Sequence, residues 1–302
     1  MLAVGSNGFV WAQSVQGRTF AVPNNLENVE GNSVGWYPFD GLGSGSRYQQ
    51  VFDASQFSSI SNGGTILLIV FRKNGDSSRT SAQTISNLQV NLSTTEKRPD
   101  SLSLVFAENV GGDDTIVFGP GRRELVGSGG PDEPEIFDVF IGFRSTFFYD
   151  PRAGNLLLDI RNYSGSVSDG ELFRLDGHDA TNDSISSIFG GSDRASQVSS
   201  FGFVTLFSTF PVPEVAIFLQ SGTLLIRWAH RAGNYILEQS PAIGSGANWQ
   251  PAGGTVGTNG FYKEVTLPLD PNAGARFFRL VLPSFGSQGS PTIISGNAGK
   301  GY

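Results

Sequence analysis

The chain has no cysteine, and only one methionine and two histidines in 302 residues. The first absence removes disulfides, thiol nucleophiles and Cys-based zinc or iron–sulfur sites. The scarcity of the other two removes most of the usual ligands for transition metals, so a bound metal is expected to be calcium held by carboxylates and carbonyls. Long apolar runs are missing too. The longest are of strand length, short of the roughly 20 residues that a helical crossing requires, so no membrane span is expected. Basic blocks are equally absent: 20 Lys and Arg stand against 27 Asp and Glu, for a net charge of -7, and Arg122 and Arg123 are followed at once by Glu124. A nucleic-acid backbone, which is held by clustered cations, is therefore not an expected partner. The first 14 residues lack the basic start and apolar centre of a secretory leader, so export is expected to depend on a leader missing from this chain.

What the chain has in abundance is turn formers and aromatic rings, with 40 glycines, 15 prolines and 24 phenylalanines. Gly, Ser and Asn interrupt helices, while aromatic and β-branched residues favour strands, so the mixture indicates an all-β protein. The densest stretch is 137–165. Two apolar runs, 137–148 and 156–160, flank Asp150-Pro151-Arg152-Ala153-Gly154-Asn155, a pattern of strand, turn and strand. Phe137, Val139, Ile141 and Phe143 share one parity, which fits a sheet with one buried face. Leu156, Leu157 and Leu158 have no parity, as expected of a strand covered on both sides. Further strands are expected at 64–71, 85–92, 102–106, 116–118, 171–175 and 201–207, with 185–189 open between strand and short helix and 119–134 a long loop. Residues 1–35 are read as an N-terminal arm or first strands. Residues 36–210, with strands about 8–15 residues apart and no amphipathic helix, are expected to form a jelly-roll-like antiparallel β-sandwich.

Pro211-Val212-Pro213 is a stiff spacer that resists inclusion in a sheet. Residues 211–283 follow with short strands at 215–219, 223–228, 234–239, 265–269 and 276–281. Trp228 shares parity with Leu224 and Ile226 and is expected in a small core. This rhythm indicates an immunoglobulin/fibronectin-type β-sandwich without a disulfide. Residues 284–302 are a Gly/Ser-rich tail with one β-prone island at Thr292, Ile293 and Ile294. That island, like Phe9, Val10 and Trp11, is a candidate for assembly, by adding a strand to its own domain or to a neighbour's open edge.

Catalytic signals are weak. His178, in Asp176-Gly177-His178-Asp179, has acidic company but sits in a turn-like sequence, and His230 has less. Paired carboxylates for glycoside hydrolysis, such as Glu108, Asp138, Asp159 and Glu171, cannot be matched by spacing. Neither a phosphate-binding loop nor a His-Glu-x-x-His pattern is present. Asp113, Asp114, Asp176 and Asp179 are the candidate calcium ligands, because close carboxylates repel unless a cation compensates and neighbouring glycines let carbonyls turn inward. Aromatic rings stack on sugar C–H faces, which makes Trp249, Tyr262, Trp36 and Tyr37 the candidates for a carbohydrate ligand.

The phrases RYQQVFDASQF, ISNLQVNLSTT, LSLVFAENVGGDDTIVF and FFYDPRAGNLLLDIRNYSG, spread over roughly 37–210, resemble a poorly characterised family of exported β-sandwich proteins of Verrucomicrobia, Planctomycetes and some Cyanobacteria. Many of its members carry a PEP-CTERM-type sorting signal. LLIRWAHRAGNYILEQSPAIGSGANWQPAG and ARFFRLVLP are similar to small β-sandwich repeats appended to secreted enzymes and adhesins of the same bacteria. The resemblance implies secretion or surface display and transfers no functional residue. Pro211-Val212-Pro213-Glu214 is similar to the start of a sorting signal, but no membrane helix or basic tail follows, so covalent sorting by that route is not expected. The reading as a whole is a non-enzymatic extracellular or cell-surface protein, a surface, matrix or filament subunit that self-associates or joins other surface proteins. The alternative is a polysaccharide-binding protein.

Overall fold

In the computed structural model, the residues described are 17–39, 45–75, 79–130, 134–168, 173–191, 193–211, 215–220, 222–229, 235–243, 246–259, 262–268 and 276–281. The chain divides into two compact units with the break after Pro211.

The first unit contains β1 (Arg18–Val22), β2 (Ser33–Gly35), β3 (Ser46–Phe52), β4 (Gly64–Arg72), β5 (Ser81–Thr95), β6 (Thr115–Gly127) and β7 (Phe137–Tyr149). It continues through β8 (Asn155–Asn162), β9 (Ser166–Ser168), β10 (Leu175–Asp179), β11 (Ile185–Gly190), β12 (Ala195–Ser199), β13 (Phe201–Phe203) and β14 (Thr205–Pro211). One sheet has the order β1-β14-β4-β7 and the larger one β12-β11-β3-β8-β5-β6, with β9 beside β5 and a small β13-β10-β2 sheet in addition. Every pairing is antiparallel. Successive strands β1, β3, β4, β5, β6, β7, β8 and β14 thus fall into the two four-strand orders β1-β14-β4-β7 and β3-β8-β5-β6. That is the jelly-roll arrangement, extended by β11 and β12 alongside β3.

Both sheets contribute to a single core, with Phe20, Ile66, Val139 and Phe207 from one side and Tyr48, Leu88, Leu158 and Ile160 from the other. Its centre is aromatic. Phe57 meets Phe20, Tyr149 and Phe207 with ring centroids 5.5, 4.9 and 5.2 Å apart, each edge to face. Such pairs add about 0.5–1.5 kcal/mol each beyond the area they bury.

Several expectations change. Of the two forms expected within 1–35, residues 18–22 take that of a first strand: β1 pairs with β14 along its whole length and sends Phe20 and Val22 into the core, so the unit begins at Gly17 and not at 36. The 137–165 stretch is two strands joined by a turn, but no hairpin. β7 pairs with β4 in one sheet, whereas β8 lies between β3 and β5 in the other, so the turn carries the chain across the core. The three leucines behave as their lost parity requires, Leu156 and Leu158 facing the main core and Leu157 a second apolar cluster on the outer face. Residues 102–106 form no strand. Leu102 and Phe106 instead press an irregular segment, ending in a 3-10 turn at Phe106–Asn109, onto Val51, Leu157 and Ile188. Residues 185–189 are a strand, and 201–207 are two strands with a break at Val204. The loop expected at 119–134 starts only after Gly127.

A buried ion pair joins the small sheet to the sandwich. Arg72 on β4 reaches Asp176 on β10 at 2.7 Å, with both side chains almost free of solvent contact, and the same guanidinium donates to the carbonyls of Leu26 and Val29. Burial is the larger influence on Asp176 and raises its pKa, opposed by the charge and hydrogen bond of Arg72. Asp176→Ala is expected to cost about 3–5 kcal/mol, because the Arg72 charge is left buried without its counter-ion. Chemical denaturation of the two proteins checks it.

The second unit contains β15 (Ala216–Gln220), β16 (Thr223–Ala229), β17 (Ile236–Ser240), β18 (Gln250–Pro251), β19 (Val256–Asn259), β20 (Tyr262–Pro268) and β21 (Phe277–Val281). Sheets of order β15-β16-β20-β19 and β18-β17-β21 enclose Leu224, Ile226, Trp228, Leu237, Val265, Leu267, Phe278 and Leu280. This is the immunoglobulin-type order, with Trp228 in the core as its parity predicts. Pro211, expected in the spacer outside any sheet, instead ends β14 opposite Gly64, at the last pair of that ladder, while the rest of the spacer, 212–213, and the tail 284–302 lie outside the described residues.

Candidate functional site

The outer face of the larger sheet of the first unit carries a polar row that the sequence reading missed. Arg47 and Gln49 on β3 alternate with core-facing Tyr48, and Asp159 lies opposite Gln49 on β8. The Arg47 guanidinium grips both oxygens of Asp159, with Nε 2.9 Å from Oδ1, and stacks 4.8 Å from the Phe106 ring centroid. Gln49 Nε2 donates to Asp159 Oδ2 at 3.0 Å and to the Phe106 carbonyl at 3.1 Å, and its Oε1 accepts from Asn109 Nδ2 at 2.9 Å. Arg161 adds a third cationic contact at 3.1 Å. The row therefore fastens the 102–109 segment over β3 and β8. Burial alone would raise the Asp159 pKa, but Arg47 and Arg161 together outweigh it and hold the carboxyl below its ordinary value. The clue in the sequence was Arg47 and Gln49 on the parity opposite Tyr48, followed on their own parity by apolar Val51.

The expected calcium ligands are already committed to protein donors. Asp113 accepts from Thr94 N at 2.7 Å and Thr94 Oγ1 at 2.6 Å, and Asp114 accepts from Asn91 Nδ2 at 3.0 Å. Asp176 holds Arg72, and Asp179 accepts from Ser200 Oγ at 2.7 Å. Asp176 and Asp179 lie on β10 and not in the loop their sequence suggested. Among the described residues no three His, Asp or Glu side chains converge as metal ligands would.

Catalytic candidates are equally dispersed. His178 Nε2 lies 3.8 Å from Asp183 Oδ2, whose pKa is raised chiefly by burial. Residues 31–35, Gly-Asn-Ser-Val-Gly, match the nucleophile-elbow pattern of hydrolases. Ser33, however, lies on β2 opposite Gly177 and shares its face, while His178 points to the other face of the sheet. The glycines of that string answer to packing: a Cβ on Gly31 would stand 2.0 Å from the Gly177 carbonyl oxygen. Glu108 accepts from Ser103 and Asp138 from the Ser128 amide. Glu171 and His230 lie outside the described residues.

In neither unit do the described aromatic ligand candidates form a common exposed surface. Trp36 is exposed, but neighbouring Tyr37 packs 5.0 Å from the Phe189 ring and donates its hydroxyl to the Gly190 carbonyl, anchoring the segment before β3 to β11. In the second unit, Trp249 lies under the Arg279 guanidinium at 4.3 Å, on the outer face of the β17-β21 sheet, where Arg279 also pairs with Glu238 at 2.7 Å. Tyr262 has the parity opposite core-facing Val265 and Leu267 and so lies on the outer face of the other sheet. The assembly candidates Phe9, Val10, Trp11, Thr292, Ile293 and Ile294 lie outside the described residues.

The second unit does have one unfinished side. On β15, Ile217 pairs with Ile226 and Leu219 with Leu224. Directly paired residues share a face, and Ile226 and Leu224 belong to the core. Ile217 and Leu219 therefore point inward, yet they remain 37% and 61% exposed. The cause is topological. Only residues 252–255 separate β18 from β19, so those two strands share one end of the sandwich and β15 and β21 share the other. Four strands face three, and among the described residues β21 pairs with β17 alone. Among the described residues none covers the inner face of β15 beyond that strand, although Val215 on the same parity still packs against the core. Val256, inward-facing at the opposite edge, is 54% exposed for the same reason.

No family model, curated protein or solved structure matches the chain.

Asp159 provides a test of the polar row. Its folded-state pKa is depressed, so its stabilising contribution is present above the unfolded value of about 3.9 and is lost as the pH falls through the folded value. Asp159→Asn is expected to lower stability at pH 7 by about 3–5 kcal/mol, since the Arg47 charge is left buried, and to make the remaining loss between about pH 5 and pH 2 shallower than in the parent. Urea titrations across that range measure both.

Proposed function

We propose that the protein is a non-enzymatic extracellular structural or interaction protein, a subunit of a surface layer, matrix or filament that assembles through its β-domain edges and terminal segments. The single observation that carries this reading is the unfinished side of the second unit. Ile217 and Leu219 are inward-facing apolar residues left in water beside a strand edge with no described ladder partner. Free strand edges are templates for pairing with another chain, and uncovered apolar surface adds the driving force.

The polar row of the first unit, which fastens the 102–109 segment over β3 and β8, suits a scaffolding role. The resemblance to exported, surface-displayed β-sandwich proteins supports the extracellular setting. Carbohydrate binding is the alternative, resting on exposed Trp36, and glycan-array binding lost in Trp36→Ala would favour it.

Size measurement over a wide concentration range, with negative-stain imaging, tests the assembly reading. Ordered oligomers or filaments are expected at high concentration. Leu219→Asp is expected to reduce them while changing the stability of the chain by no more than about 0.5 kcal/mol, because an exposed side chain adds little to the isolated fold. A chain that stays monomeric throughout would overturn the reading.

A further inference from the structure

We infer that Arg123 and Arg144 form an oxyanion-binding site on the first unit, at the seam between β6 and β7, and that its ligand is an acidic sugar, one bearing a carboxylate or a sulfate. The inference does not rest on the assembly reading and concerns the other unit.

β6 and β7 are end strands of the two sheets and pack side by side along the sandwich. Arg123 shares parity with core-facing Leu125, so its side chain leaves β6 toward β7, where the guanidinium donates to the Phe140 carbonyl. Arg144 comes from the opposite direction. It lies in a bulge of β7, since Leu68 pairs with Gly142 and Ile66 with Phe147, and bulges re-aim side chains. Its Nη2 stands 3.5 Å from where a Cβ of Gly121 on β6 would be, so the glycine leaves that guanidinium room. The Arg123 and Arg144 guanidinium carbons lie 5.8 and 5.0 Å from the centroid of the same ring, Phe118. Two like charges thus share one aromatic platform.

Arg47, Arg72, Arg227 and Arg279 also lie over aromatic rings, and each of those four holds a carboxylate as well. Among the described residues Arg123 and Arg144 have no such partner. Burial, with no carboxylate to oppose it, pulls the Arg123 pKa below its ordinary value, and its Nε has no acceptor. Neighbouring like charges in a partly desolvated place are costly, and an anion beside them offsets that cost. Guanidinium groups match the oxygens of carboxylate and sulfate through paired, charge-assisted hydrogen bonds. Arg144 is exposed, which leaves the pair open to a ligand from solvent.

Phe140 supplies the second half of the chemistry. Its neighbours Val139 and Ile141 face the core, so its ring points outward beside the Arg123 contact and is 49% exposed. An open aromatic ring next to two unpaired guanidinium groups suits a ligand that carries an apolar C–H face and an oxyanion on one rigid frame. A uronate or sulfated sugar has both. A free inorganic ion or a carboxylate side chain has only the second.

The test uses the full chain and four probes: polygalacturonate for the carboxylate, dextran sulfate for the sulfate, dextran as the neutral frame and polyglutamate as an acidic peptide. Calorimetric titration is expected to show binding of at least one of the two acidic polysaccharides, weakening with salt, and none of dextran. The tighter of the two identifies the oxyanion. Arg144→Gln is expected to weaken binding at least about tenfold, the worth of a charge-assisted hydrogen bond, with the thermal transitions unchanged because the side chain is exposed. Arg122→Gln removes the same charge from the opposite face of β6 and is expected to leave binding within about twofold. Three results would overturn the inference: no binding of either acidic polysaccharide, no greater weakening by Arg144→Gln than by Arg122→Gln, or tighter binding of polyglutamate than of both polysaccharides. The second would mean diffuse charge attraction, and the third an acidic peptide as the partner.

Discussion

The first unit depends on the double burial of β8. Leu156 and Leu158 enter the aromatic core between the two sheets, while Leu157 and Asp159 face the other way into a layer that would otherwise be solvent. A sheet in a sandwich ordinarily needs cover on one face only. Here the outward leucine and carboxylate require a second cover, and the 102–109 segment supplies it through Leu102 and Phe106 against the apolar part and Asn109 against the polar part. The apolar contacts provide area. The Arg47, Asp159 and Gln49 hydrogen bonds provide a unique position, since each buried polar group that misses its partner costs about 1–3 kcal/mol.

The second unit follows the opposite rule. Its two sheets are unequal, and the wider one is left with inward-facing Ile217, Leu219 and Val256 partly in water. Nothing like the 102–109 segment covers them among the described residues. The described residues thus form a sandwich closed beyond ordinary need and a sandwich with an open flank. The assembly proposed above would use that flank, with the first unit as its scaffold.

Much of the fold was legible in the residues. The lost parity of Leu156, Leu157 and Leu158 announced a strand covered twice, and the parity of Leu224, Ile226 and Trp228 announced the small core. What escaped was everything that depends on partners distant in sequence. The 102–106 run has the composition of a strand, yet it is a cover, because its apolar residues answer to Val51 and Ile188 rather than to a neighbouring ladder. Asp176-Gly177-His178-Asp179 has the composition of a turn, yet it is a strand, because Arg72 compensates Asp176 and Gly31, lacking a Cβ, allows the Gly177 carbonyl to come close. The open flank could not be read from Ala216-Ile217-Phe218-Leu219 either. Its exposure arises from the number of strands in the opposite sheet, which no local pattern records.

The claim on which the functional account turns is that the edge of β21 opposite β17 is free in the isolated chain. Residue-resolved hydrogen exchange measures this directly, because alternate amides of an edge strand point to its neighbour and to solvent. The account predicts alternating protection along β21 in dilute protein and uniform protection once the chains assemble, with β3 and β8 protected in both states. Uniform protection of β21 in the dilute chain would contradict it.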